Sequence, residues 1–171
     1  MIVTDATALI ALAKMGRLHL VREVYGEVAI GPVVGSEVVE QGKRVGAPEV
    51  VYVEKAVMEG WVKIVRLSTR ERRAMQSLIN TSRLDDGEAE SMAIARSRRC
   101  MMVIDDKEAR TLAQAMGITH VGTAGVLLDA YADGNLKLHE LEDAVQDLSK
   151  VLWLSPAVAI EVLRKARGMK K

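Results

Sequence analysis

With 171 residues, 49% of them hydrophobic and 27% charged, the chain is sized for one domain with a substantial core. It holds no apolar run of the roughly 18 residues that cross a membrane and no charged-then-apolar signal segment, and its single Cys100 excludes an internal disulfide framework; together these predict a cytoplasmic protein. A net charge of +1, from 24 basic and 23 acidic residues, and 3% aromatics with no Phe exclude blanket phosphate binding and broad base-stacking platforms, so any nucleic-acid role falls to a local site.

In chain order, Ile2-Val3-Thr4 reads as a short buried strand, followed by a helix carrying Leu9, Ile10, Leu12 and Ala13. A second short helix is predicted from Leu18 to Tyr25, and Val28-Ala29-Ile30 is a strand closed by Gly31-Pro32, with Pro32 suited to a helix start. Ala47 to Gly60 is a predicted helix, Val62 to Val65 a strand, Met101 to Ile104 a fully apolar strand preceded by Cys100 as a small apolar residue, and His120-Val121 a fifth, very short strand. Further helices are expected at Asp86–Arg98, Asp106–Met116, Thr123–Asp133, Leu138–Lys150 and Pro156–Ala166. In the Asp106–Met116 helix, Ala109, Leu112, Ala113 and Met116 fall at the spacing of one buried face. Strands that are apolar throughout and alternate with helices imply a parallel sheet covered on both faces, in which ligands bind at the carboxyl ends of the strands.

Acids gather at those ends. Asp5 closes the first strand, and Asp105-Asp106 close the Met101–Ile104 strand. Either could be a helix N-cap, but two adjacent carboxylates exceed what one cap needs. In Leu84-Asp85-Asp86-Gly87-Glu88, Asp85 and Glu88 have the spacing of a capping box. Glu37, on a helix from Val33, projects toward the face that should be buried, and no Arg or Lys occupies the neighbouring turn before Lys43 to meet it. Carboxylates converging in one cleft call for a hard cation such as Mg²⁺, Mn²⁺ or Ca²⁺. His19, His120 and His139 show no zinc-ligand spacing.

These residues carry a resemblance. Ile2-Val3-Thr4-Asp5-Ala6-Thr7 resembles the first strand of PIN domains, with Asp5 followed two residues on by Thr7; Gly31-Pro32-Val33-Val34-Gly35-Ser36-Glu37-Val38 is similar to their second acidic motif, Gly87-Glu88-Ala89-Glu90 to the third, and Val103-Ile104-Asp105-Asp106 to the fourth. The match runs to about residue 135, leaving 136–171 as a C-terminal helical extension of a single domain. It implies a three-layer α/β/α sandwich with a central parallel sheet of four to five strands. It also implies an endoribonuclease that uses Mg²⁺ or Mn²⁺, with Asp5, Glu88 and Asp106 (Asp105 the alternative) as ligands and Glu37 positioning water or a second ion. Thr7 is the candidate to orient a carboxylate or water. Many small prokaryotic members are toxins held by an antitoxin. The alternative is a catalytically silent fold that binds a protein; an aspartyl phosphatase is disfavoured because Thr7 stands where its second Asp belongs.

Three further patterns bear on partners. Leu138, Leu141, Val145 and Leu148 form a helical stripe that either packs on the chain's own core or docks a second copy or an antitoxin. The basic runs Arg70–Arg73 and Arg96–Arg99 read as solvated helix faces or RNA guides, and Lys165–Lys171 as a frayed basic end. Gly122-Thr123-Ala124-Gly125 lacks the Lys-Ser/Thr of a phosphate loop, so Thr123 is expected as a helix N-cap.

Overall fold

Each strand of the computed structural model, which describes residues 1–169, is three residues or fewer, and the first two and the fourth are buried in large part. β1 (Ile2–Thr4), β2 (Val28–Ile30), β3 (Val62–Ile64), β4 (Met101–Val103) and β5 (His120–Val121) form one parallel sheet in the order β3-β2-β1-β4-β5. The period-2 alternation of a strand sends neighbouring side chains to opposite faces. Ile2, Val28, Ile30 and Val103 accordingly join one core and Val3, Ala29, Met102 and Ile104 the other.

The first face is covered by α1 (Ala6–Lys14), α2 (His19–Tyr25), α5 (Val50–Met58), α9 (Thr123–Ala132), α10 (Leu138–Val151) and α11 (Pro156–Gly168). The second is covered by α6 (Thr69–Thr81), α7 (Asp86–Arg98) and α8 (Lys107–Ala115). This is a three-layer α/β/α sandwich. Between β2 and α5 the chain runs through α3 (Pro32–Gly35), a π-helical segment (Ser36–Gln41) and α4 (Gly42–Arg44). A single wide turn of this kind presents side chains out of step with the 3.6-residue pattern and recurs at functional sites.

Four details differ from the sequence reading. Helix α6 is not expected from its polar sequence. It is set by a capping box in which Ser68 Oγ accepts from Glu71 N and the Glu71 carboxylate accepts from Ser68 N, and it buries Leu78 against α7. Thr123 is not the cap of α9: Gly122 holds that position, and Thr123 is the first helical residue. The 136–171 region adds more than its motif-free sequence shows, because Leu141, Ala144, Val145, Leu148, Val162 and Ala166 belong to the first core. The stripe on α10 therefore faces its own chain, and a second copy or other protein partner would have to meet a different surface. Finally, α11 stays helical through Gly168, so most of the basic tail is not frayed; Lys170 and Lys171 lie outside the described residues.

Arg70, Arg72 and Arg73 are exposed on α6, whereas Arg98 leaves the solvent to pair with buried Glu71. Arg99 closes α7 in the left-handed conformation, and Cys100, half-buried, packs beside the second core ahead of β4. Among the described residues no helix is long and apolar enough to cross a membrane.

Candidate metal centre

The carboxyl edge of the sheet is where β1, β2, β4 and β5 hand over to helices, and the acids collect there. Asp5 ends β1 and caps α1, its Oδ1 accepting from Ala8 N at 2.9 Å. It is only 3% exposed. Burial pushes its carboxyl up to about 7, against the pull of the Ala8 N–H; the negative charges of Asp105, Glu88 and Asp85 push the same way. No Lys, Arg or His pairs with it among the described residues.

Asp85 and Glu88 close a capping box at the start of α7: Asp85 Oδ1 accepts from Glu88 N at 2.7 Å, and Glu88 Oε2 accepts from Asp85 N at 3.2 Å. Each carboxylate thus keeps one oxygen beyond its cap. Glu88 is half-buried, and that burial, followed by the charges of Asp85, Asp106 and Glu37, raises its pKa. Glu37, in the first turn of the π segment, is also half-buried and raised, first by desolvation and then by Asp85. It reaches α7 at Gly87, where an added Cβ would stand 3.1 Å from Glu37 Oε2 and 3.5 Å from Asp85 Oδ1. The absent side chain at Gly87 lets the two carboxylates approach.

The two candidates after β4 part ways. Asp105 is anchored: Oδ1 accepts from Thr123 N at 2.9 Å and Oδ2 from the Thr123 hydroxyl at 2.5 Å. Asp106 is exposed and caps α8, Oδ1 accepting from Ala109 N at 2.8 Å, which leaves Oδ2 free. Asp5, Glu37, Glu88, Asp105 and Asp106 are thus brought to one edge and linked by mutual repulsion. Thr7 is exposed on the first turn of α1, with no hydrogen bond to its hydroxyl among the described residues.

Two acids were missed or undervalued from sequence. Asp85, read as a cap, also adds charge against Asp5, Glu37 and Glu88. Glu90 is 1% exposed and reaches from α7 to the start of α3, where its two oxygens accept from Val33 N and Val34 N, each at 3.1 Å. It lies over Gly31, whose added Cβ would stand 2.0 Å from Glu90 Cδ. The only hint was a Gly immediately ahead of Pro32 paired with a second Glu in Gly-Glu-Ala-Glu.

The donor set suits a hard divalent ion in chemistry: every group is a carboxylate oxygen, and none of them forms an ion pair with Lys, Arg or His among the described residues. Among the described residues no three His, Cys, Asp or Glu side chains stand close enough together to enclose an ion. Mg²⁺ does not require that, since it keeps several waters and is commonly held by one or two carboxylates.

A parallel sheet between helical layers, with acids converging at its carboxyl edge and no basic partner, defines a nuclease-type α/β/α fold. A family model described as a PIN domain matches residues 1–168. The chain belongs to the PIN-domain family, whose members are generally nucleases that use divalent metals. The match continues through α10 and α11, beyond residue 135 where the motif resemblance ends. No curated protein matches the chain.

Proposed function

We propose that this protein is a Mg²⁺- or Mn²⁺-dependent ribonuclease that hydrolyses phosphodiester bonds of RNA. One observation carries the reading: Asp5 is a buried carboxylate whose charged neighbours are all carboxylates, an arrangement that an arriving cation would stabilise and that helix capping does not require.

Asp5, Glu88 and Asp106 are the residues to hold the ion, directly or through water. Glu88 and Asp106 keep the oxygens not used in capping, while Asp105, held from two sides by Thr123, fixes negative charge at the wall of the site. A bound divalent ion supplies a water of lowered pKa and offsets charge on the phosphate. Glu37, whose carboxyl burial raises above its ordinary value, would position the attacking water or a second ion.

The test is a titration of purified protein with Mg²⁺ or Mn²⁺ against single-stranded RNA, with Asp5→Asn alongside. Cleavage should require the metal, stop with EDTA and fall at least a hundredfold in the variant. Equal cleavage by both proteins would assign the activity to a contaminant. No cleavage by wild type under any metal would leave the silent, protein-binding form of the fold.

A further inference from the structure

Beside the acidic edge, α8 and β5 enclose a small polar cleft of about 240 Å³ lined by Asp105, Lys107, Arg110, Thr111, Gln114 and His120. Its two cations are unpaired, unlike Lys14, Lys43, Lys63 and Arg98, which pair with Glu49, Glu54, Glu27 and Glu71. The side chains of Lys107 and Arg110 make no ion pair or hydrogen bond among the described residues. Arg110 Nη1 and Asp105 Oδ1 approach the same point above Gly122, at 3.9 and 3.0 Å from where its Cβ would stand, without forming an ion pair. The Asp105 oxygens are oriented toward Thr123, and the Arg110 donors have no hydrogen-bond acceptor among the described residues. His120 donates through Nδ1 to Ile118 O at 3.0 Å, which leaves Nε2 as its open nitrogen.

Lys107 also borders a wider cleft on the other side of α8, with Arg83, Asp106 and Thr111. Arg83 is exposed and likewise unpaired among the described residues. Unpaired cations therefore flank Asp106 along a path that crosses the first turns of α8. No Trp, Tyr or Phe lines either cleft, so neither offers the broad aromatic platform on which successive bases stack.

We propose that the cleft between α8 and β5 holds a backbone phosphate of single-stranded RNA adjacent to the one that is cut, with Lys107 and Arg110 as its donors, and that this subsite reads the strand's backbone and not its bases. The inference rests on the ribonuclease reading above. Phosphate contacts position a strand in the active site without conferring sequence preference, which gives a chain of nearly neutral net charge a local grip on a polyanion.

The experiment uses full-length Asp5→Asn as the non-cleaving parent, in Mg²⁺, with labelled 12-nucleotide oligouridine and oligoadenosine followed by fluorescence anisotropy across a salt series. Lys107→Gln and Arg110→Gln together should weaken binding at least tenfold. They should also flatten the dependence of log affinity on log salt by about 0.7, the amount for one phosphate of a single strand that the protein no longer neutralises. Arg110→Lys should restore most of the slope, Arg73→Gln on α6 should leave it unchanged, and the two oligomers should bind the parent within about threefold of each other. An unchanged salt slope in the double variant, or a strong base preference abolished by it, overturns this subsite while leaving the metal centre standing. Failure of the parent to bind either RNA overturns the subsite and the RNA substrate together.

Discussion

Asp5 offers a direct measurement of the strain that a cluster of carboxylates holds when no cation offsets it. Its pKa is 3.8 in an open chain and is pushed up to about 7 in the fold. A carboxyl raised in this way contributes its full share of stability below the unfolded value. That share begins to fall as pH passes 3.8 and is gone once pH exceeds about 7. At about 1.4 kcal/mol for each tenfold change, the loss is on the order of 4 kcal/mol. Asn caps a helix as well as Asp does, so Asp5→Asn keeps the bond from Ala8 N and removes the charge. Urea unfolding in EDTA should therefore show the variant about 1 kcal/mol more stable than wild type at pH 4.5, with the gap widening to about 4 kcal/mol by pH 8, which for a domain of this size is roughly 10 °C in melting temperature. Mg²⁺ or Mn²⁺ should close much of that gap by binding folded wild type in preference to the variant. A gap that is the same at pH 4.5 and pH 8, or a variant less stable at pH 8, would mean that Asp5 is an ordinary cap and that the electrostatic case for an ion is wrong.

Other outcomes follow from the neighbouring geometry. Glu90→Ala leaves the buried Val34 N–H and the part-buried Val33 N–H without an acceptor and should cost about 2–4 kcal/mol in urea unfolding; a loss under 0.5 kcal/mol would show that water replaces it freely. Gly31→Ala drives a methyl into the same carboxylate, so its cost added to that of Glu90→Ala should exceed the cost of the double variant by more than 1 kcal/mol. Gly87→Ala should hold or raise the melting temperature, because Ala favours a helix over Gly by about 1 kcal/mol. The same change should cut RNA cleavage at least tenfold by displacing Glu37, and full activity in that variant would remove Glu37 from the reaction. Glu71 is held well below the usual carboxylate range, first by the Arg98 guanidinium. The stability it contributes is present above the unfolded pKa and lost as pH falls through the folded value, so Glu71→Gln should narrow the acid stability range, as measured by unfolding between pH 2 and 5.

The architecture was legible because its signals are local and repetitive. Ile2–Thr4, Val28–Ile30 and Met101–Val103 are apolar on both faces, as strands of a doubly covered parallel sheet must be. Asp5 and Asp105-Asp106 could be placed at one edge because strand ends in such a sheet coincide. What the sequence hid is of two kinds. Helix α6 is polar on most of its surface, and its buried Glu71 is paired with Arg98, 27 residues away; periodicity does not encode a partner. Glu90 and Thr123 act on backbone or carboxylate groups of distant segments, and the π segment departs from the 3.6-residue repeat that orients Glu37 in a regular helix. Both fall outside what spacing along one helix can show.

The bridge made by Glu90 has a consequence for how the protein is made. The N–H groups at the start of α3 find their acceptor 57 and 56 residues further along the chain. A nascent polypeptide that has emerged only through β3 contains Asp5 and Glu37 but lacks the carboxylate that ties down the start of α3, as well as Asp85, Glu88 and Asp106. The acidic pocket therefore cannot be assembled piecemeal from the N-terminus; it arrives when α7 docks and closes the long loop between them. Chains interrupted before that point would carry two of the acids but not the acidic cluster as a whole.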